Sequence, residues 1–360
     1  MKERATKTAA SLALRGGGRP VFLFKELFFR EVEKIKLKSG GRVKGIVSAH
    51  AHLDRAFTLS EDIWEQSMAL MEEKWTLVNE IRKKNAADPE GLKARVRGVL
   101  DMMIEQGIAV FHTHVDADLN TGLKVVEAMA ELRDEYAGRL VLRLCAHPCQ
   151  GLDSAEKIKI FEKACEICDG VGGLPSADRH AAGGNGASGG GDLKHLDTVF
   201  GIARNLGKDV DVHIDQENNP LERDTEKLIA KVREYKYEGH VNFLHCISVA
   251  AQPANVRAEI IAGLKDVGAN VIICPTAAIA MKQHDDKMAP VHNSIAPVVE
   301  MTEAGVNVAF GFDNISDVYQ PEISGDVWEE FKVLACACRY YKPRELAEIA
   351  TINGYKTFKI

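Results

Sequence analysis

The stretch GIVSAHAHLDR, residues 45–55, joins a β-branched run to two histidines one residue apart. Ile46 and Val47 favour an extended backbone, and alternate residues of a strand project to the same face. His50 and His52 can therefore reach one ion from one strand end. Outward from this stretch, short β-branched runs alternate with longer amphipathic segments. Strands are expected at 45–49, 108–115, 140–146, 170–174, 209–215, 241–246, 270–274 and 306–311. Helical periodicity marks 62–84, 89–106, 122–136, 222–235 and 253–267, and Gly107 and Gly268 fall where a helix ends. Eight strands alternating with helices predict a (β/α)8 TIM barrel over residues 45–360 rather than an open sheet. Residues 1–44 read as an N-terminal extension or the remnant of a small β domain, with Val21 to Val43 as strand or helix material.

The residues able to do chemistry gather at the ends of these runs. His213 ends the fifth, His245 ends the sixth, and Asp313 follows the eighth. Barrel enzymes place their reactive groups at the C-terminal ends of strands. One polar residue there is unremarkable, whereas two further histidines and an aspartate beside a His-x-His start point to a metal site. His112-Thr113-His114 is a second His-x-His, read as core or as support for the first more than as a second metal site. His147 ends the third strand and is expected to face the pocket, and His284 and His292 flank a loop where a substrate contact is open. His180, His195 and His240 read as solvated loop residues, Trp64, Trp75 and Trp328 as helix core, and the charges of 61–90 as solvated helix surface.

Five stretches carry a family resemblance: HAHLDR at 50–55, HTHVD at 112–116, DVHIDQ at 211–216, NFLHCIS at 242–248 and AFGFDN at 309–314. From about residue 44 to 353 the chain resembles the amidohydrolase superfamily, and within it the cytosine deaminase-like branch. The resemblance implies one divalent ion, zinc or iron, held by His50, His52, His213 and Asp313. It implies that His245 hydrogen-bonds the attacking water or the departing group. Members of this branch hydrolyse C–N bonds in ring substrates and release ammonia or an amine. Such a ligand set leaves an open position for water, whose pKa falls toward ~7 on a divalent ion.

Three positions depart from the branch's pattern. Gln216 stands where cytosine deaminases carry a glutamate three residues after the third histidine, and an amide cannot shuttle protons. Asp313 or His245 is left to move the proton, with the adjacent Glu217 as a further candidate that strand alternation points the other way. The branch's substrate-reading glutamine falls on Cys149 or Gln150, and Asn314 replaces an aspartate after the metal carboxylate. Gln216, Gln150, Asn314 and His147 are thus the expected substrate contacts. The chain stops at Ile360, so the C-terminal part of the usual small β-sandwich is expected to be missing.

A net charge of -6 offers no footprint for nucleic acid or an anionic membrane, and a small-molecule substrate fits better. No apolar run approaches the ~20 residues of a membrane span. The eight cysteines mostly sit in apolar segments, as reduced thiols of a cytoplasmic protein do, and Cys165-Glu-Ile-Cys168 lacks a second ligand pair. Residues 181–191 are too glycine-rich to pack and read as a flexible connection or a lid. A homo-oligomer is left open. The expected activity is hydrolysis of a C–N bond in a small nitrogen heterocycle by a metal-activated water. A cyclic amidase or amine-releasing hydrolase on another ring, and a metal-binding barrel without catalysis, are the alternatives. The His-x-Glu and Pro-Cys-x-x-Cys set of nucleic-acid base deaminases is absent.

Overall fold

A computed structural model describes residues 22–68, 74–181, 191–280 and 295–360. Its strands are β1 (Ile46–Ser48), β2 (Ile108–Asp116), β3 (Val141–His147), β4 (Gly170–Gly173), β5 (Asp209–Ile214), β6 (Val241–His245), β7 (Asn270–Ile273) and β8 (Asn307–Phe310). They lie in sequence order, each parallel to the next. The two edges also meet. Ala49 N donates to Phe310 O at 2.7 Å, Phe312 N to His50 O at 2.9 Å and His52 N to Asp313 O at 3.1 Å. β8 thereby closes on β1, and the chain is the (β/α)8 barrel its alternation predicts.

Helices return the chain between strands, and their ends follow local chemistry. Asp88 caps Pro89–Glu105 by accepting from Gly91 N, and proline at the first turn has no amide hydrogen to strand there. Ser154 caps Ala155–Ile167 through Lys157 N, and Asp326 caps Val327–Ala337 through Trp328 N and Glu329 N. The apolar faces of these helices meet the outward faces of the strands in one large core that includes Phe111, Phe161, Phe200, Phe243 and Phe310. Each such ring removed from water contributes roughly 1.5–3 kcal/mol.

Two segments differ from the sequence reading. The helix expected over 62–84 is divided into 3-10 turns at Glu61–Ile63 and Glu65–Met68 and a helix at Trp75–Ala87; residues 69–73 lie outside the described residues. Glu61, Asp62, Trp64, Glu65 and Gln66 are exposed, so the first part has no apolar stripe to repay helix nucleation. Within 1–44, the described part holds a helix, Leu23–Lys38, with Phe28 and Val32 buried. Phe28 stacks on Phe331 at 4.6 Å and the helix packs against Pro343–Ala350, while residues 1–21 lie outside the description.

Where the strands begin, the helix Ile352–Phe358 covers the barrel mouth. Its Tyr355 and Phe358 pack with Val47, Val110, Leu244 and Ile272, and Tyr355 Oη accepts from Lys44 N at 2.9 Å. Gly354 permits this approach, because a Cβ there would stand 2.5 Å from Val47 Cβ. The opposite mouth, at the strands' C-terminal ends, carries the polar cluster.

Candidate metal centre

His50 and His52 leave the end of β1, His213 lies on β5, His245 ends β6, and Asp313 follows β8. His50, His52, His213 and His245 are all buried, and the Asp313 side chain is 13% exposed. Gly311 brings the two chain segments together: a Cβ there would lie 2.7 Å from both His50 Cβ and His50 O. Asp313 and His245 have φ of +66° and +74°, a left-handed backbone that non-glycine residues hold only where the surroundings impose it. Both side chains are thereby aimed from a strand end into the mouth.

The ligating atoms converge. His50 Nε2 is 3.3 Å and His52 Nε2 3.5 Å from Asp313 Oδ1, and His213 Nε2 is 3.4 Å from His52 Nε2. Donors bound at ~2.0–2.1 Å around a tetrahedral ion stand roughly 3.3–3.4 Å apart. His50, His52 and His213 form one group able to hold an ion, and His50, His245 and Asp313 form an overlapping one. The far ring nitrogens set the tautomers. His213 Nδ1 donates to Gly173 O at 3.4 Å, which leaves its Nε2 lone pair facing the centre, and His50 Nδ1 faces His114 Nδ1 at 3.0 Å, on the side away from Nε2. His50 Nε2 and His245 Nε2 are buried without a hydrogen-bond partner among the described residues. Burial pushes His50 down to about 3, His245 to about 4 and His147 to about 3, and holds His52 and His213 well below the usual imidazole value. All five rings are neutral at pH 7 and keep a lone pair for an ion.

A cavity opens above this centre. His147, Gln216 and Asn314 line it beside His52, His213 and Asp313. Gln216 Nε2 donates to Ser176 Oγ at 3.4 Å, and Asn314 Nδ2 donates to Asp317 Oδ2. Two expected residues do not line it. Cys149 takes the place left open between 149 and 150, because the turn after β3 sends the Gln150 backbone carbonyl to Lys157 Nζ at 2.9 Å. Glu217 is half-buried and stands outside the cavity wall, close to Glu222, whose carboxyl is raised by burial first and then by Asp215 and Glu217. The left-handed backbone at Asp215 (φ +48°) has already ended the strand by this point.

Sequence reasoning missed the cationic wall. Arg55 and Arg82 line the cavity, both buried, and share Asp116 Oδ2 at 2.5 and 2.7 Å. Arg82 belongs to the segment read as solvated helix surface, and Trp75, read as core, lines the cavity as well. Arg55 lay inside the HAHLDR stretch, so position alone could have nominated it. His195 is also corrected: it is buried on the helix Gly191–Leu206, where Nε2 accepts from Leu174 N at 2.9 Å and Nδ1 meets Asp178 Oδ2 at 3.0 Å. His240 is half-buried rather than solvated. His284, His292 and residues 182–190 of the glycine-rich stretch lie outside the described residues, as do the placements of the His180 side chain.

One layer below, His112 Nε2 meets Asp211 Oδ2 at 2.7 Å, and amides continue the chain. Asn242 donates to Asp211 at 2.6 Å, Asn270 to Asn242 at 2.9 Å and Asn307 to Asn270 at 2.9 Å. His112, His114, Cys145 and Asp211 also bring ligating atoms within 4.8 Å of one another.

Comparison with known proteins agrees with this geometry. The model of the family described as Amidohydrolase family matches residues 43–360. An uncharacterized protein of Haemophilus influenzae is 32% identical over 71% of this chain and 90% of its own length. The N-isopropylammelide isopropyl amidohydrolase of Pseudomonas sp. (strain ADP) is 27% identical over 82% of this chain and 71% of its own. Among solved structures, 5-methylcytosine deaminase from Klebsiella pneumoniae superposes with a TM-score of 0.78 at 24% identity, covering 88% of this chain and 75% of that one. No described helix is long and apolar enough to cross a membrane.

Proposed function

The chain belongs to the amidohydrolase family, and from that premise we propose that it hydrolyses a C–N bond of a small nitrogen heterocycle at one divalent ion, zinc or iron, held by His50, His52, His213 and Asp313. The observation that carries the reading is the spacing of 3.3–3.5 Å among three imidazole nitrogens and one carboxylate at the C-terminal mouth. When bound there, a divalent ion supplies an acidified water as nucleophile at neutral pH. Asp313 would accept a proton from the attacking water and so assist its addition to an sp² carbon bearing nitrogen. His245, whose Nε2 has no partner among the described residues and lies within reach of Asp313 and His50, would hydrogen-bond the departing group. That proton would pass from Asp313 to the leaving nitrogen, and as the C–N bond breaks the added hydroxyl would give its remaining proton to a ring nitrogen, leaving a C=O group and ammonia or an amine. Gln216 donates and accepts hydrogen bonds at a ring edge but moves no proton. The 27% identity to N-isopropylammelide isopropyl amidohydrolase favours a second reading within the same chemistry, release of an alkylamine from a ring.

The test is metal analysis of the purified protein together with turnover on aminated and N-alkylaminated pyrimidines, triazines and purines. One ion per chain and release of ammonia or amine from one panel member is the expected result. A protein that binds no divalent ion at the cluster and turns over no member overturns the reading.

A further inference from the structure

Among the described charged side chains that line the cavity, Asp313 is the sole carboxylate, and it belongs to the proposed metal cluster. The others are Arg55 and Arg82. Their engaged nitrogens face backward. Arg55 Nη1 and Arg82 Nε both donate to Asp116 Oδ2, and Arg82 Nη1 donates to Asn79 Oδ1 at 2.8 Å. Burial pushes the Asp116 carboxyl up, but the Arg55 and Arg82 guanidinium groups outweigh it and hold Asp116 ionised. Asp116, Asp118 and Asp317 stand behind the arginines and outside the cavity wall. Arg55 is further fixed over the Tyr319 ring, 5.5 Å from its centroid. Among the described residues, no acceptor takes the Nη2 donors of either arginine. Arg55 Nε is buried with no hydrogen bond, its nearest carboxylate oxygen lying 3.7 Å away on Asp317.

We propose that Arg55 and Arg82 form an anion-reading subsite, and that the ring hydrolysed at the metal cluster carries a planar oxyanion edge, a carboxylate or an ionised ring oxygen. Held guanidinium groups with free donors match two-oxygen anions, and the Asp116 brace fixes them before the ligand arrives. Gln216 belongs to the same design. A carboxylate at that position would face the cavity and repel an anion, whereas the amide presents none. The change at 216 and the buried arginines are thus two parts of one change in substrate charge. The inference rests on the reading of the mouth as a hydrolytic site, but it can be tested by binding alone.

The experiment measures dissociation constants of three ring probes on the zinc-loaded full chain: uracil, its carboxylated analogue orotate, and barbiturate, whose anion lies in the ring oxygens. At least one anionic probe should bind roughly 10- to 100-fold tighter than uracil, as charge-assisted hydrogen bonds do. Preference for orotate identifies a carboxylate edge, and preference for barbiturate identifies a ring oxyanion. Arg82→Gln and Arg55→Gln should each reduce the preference to within about 3-fold of unity. Arg82→Lys, which keeps the charge but loses the fork, should give an intermediate value if the glutamine variants fold poorly. Equal binding of all three probes overturns the proposal, and so does a preference that survives both arginine changes. Arg-dependent preference in a protein that hydrolyses nothing would sink the catalytic reading and leave the subsite standing.

Discussion

The barrel interior holds two polar layers made from the same residue types, and they end differently. In the lower layer, hydrogen bonds link side chain to side chain, Asn307 to Asn270, Asn270 to Asn242, Asn242 to Asp211 and Asp211 to His112, and only the far nitrogen of the last ring, His112 Nδ1, ends the chain unpartnered among the described residues. In the upper layer, ring nitrogens face one another and Asp313 across 3.0–3.5 Å. His50 Nε2, His52 Nδ1 and His245 Nε2 are buried and unpartnered among the described residues. Burying a polar group without a partner costs about 1–3 kcal/mol, a cost that an ion bound at this cluster would offset. Histidine and aspartate inside a barrel do not by themselves mark a metal site. The upper cluster is the one proposed to hold the ion because it borders the cavity at the strands' C-terminal ends.

The largest effect that can break this comparison is a ligand deletion in the upper layer. His213→Ala should remove the bound ion and lower turnover by about 10³-fold or more, because the nucleophile depends on the ion. Folding should be nearly unchanged when both proteins are compared after chelation, since the metal-free site loses only a strained cluster. Metal analysis and steady-state kinetics read the first effect, and urea unfolding reads the second. Full metal occupancy in the variant would place the ion elsewhere, the group His112, His114, Cys145 and Asp211 being the first place to look.

The lower layer should answer in the opposite sense. Asp211→Ala strands His112 Nε2 and the Asn242 amide in a dry interior, and loss of a partner from such a network costs about 3 kcal/mol or more. The expected result is a marked drop in the urea midpoint, with one ion per folded chain and turnover per bound ion within a few-fold of the parent. If metal occupancy falls while stability holds, Asp211 is a ligand and the two layers are not distinct.

How far the sequence disclosed all this depends on whether a residue's setting is local. The strands were legible because burial against both layers demands continuous β-branched runs, and β2 through β8 begin and end within two residues of expectation. His50, His52, His213, His245 and Asp313 were legible for the same reason, each being a polar residue closing an apolar run. Arg82 was not, since a charged residue among Glu80, Lys83 and Lys84 reads as solvent-facing until tertiary packing turns it toward Asp116, 34 residues away. His195 was hidden likewise, its partners Asp178 and Leu174 lying across the break in the βα rhythm. Gln150 failed on a single residue of register in a turn, which no periodicity fixes. Sequence pattern thus disclosed the residues proposed to hold the metal, whereas the arginine wall of the cavity came from packing.

A third buried carboxyl sharpens the comparison with a smaller effect. Glu330, on the helix Val327–Ala337, is 1% exposed and accepts from Thr276 N at 2.9 Å, but it lacks the imidazole and amide that Asp211 receives. Burial pushes it up to about 8, with the nearby charge of Asp313 acting in the same direction. The folded chain therefore keeps this proton where the unfolded chain, titrating near 4.5, has lost it. The stability tied to that proton is fully present below pH 4.5 and is lost as pH rises through about 8. Glu330→Gln keeps the acceptor for Thr276 and removes the titration. Unfolding free energies from urea titrations of chelated protein at pH 5, 6.5 and 8 should show the parent losing ground to the variant with rising pH. The slope difference should be on the order of 1 kcal/mol per pH unit. Parallel pH profiles would mean that Glu330 is ionised in the folded chain, and that one backbone donor suffices to hold a buried carboxylate beside the cluster.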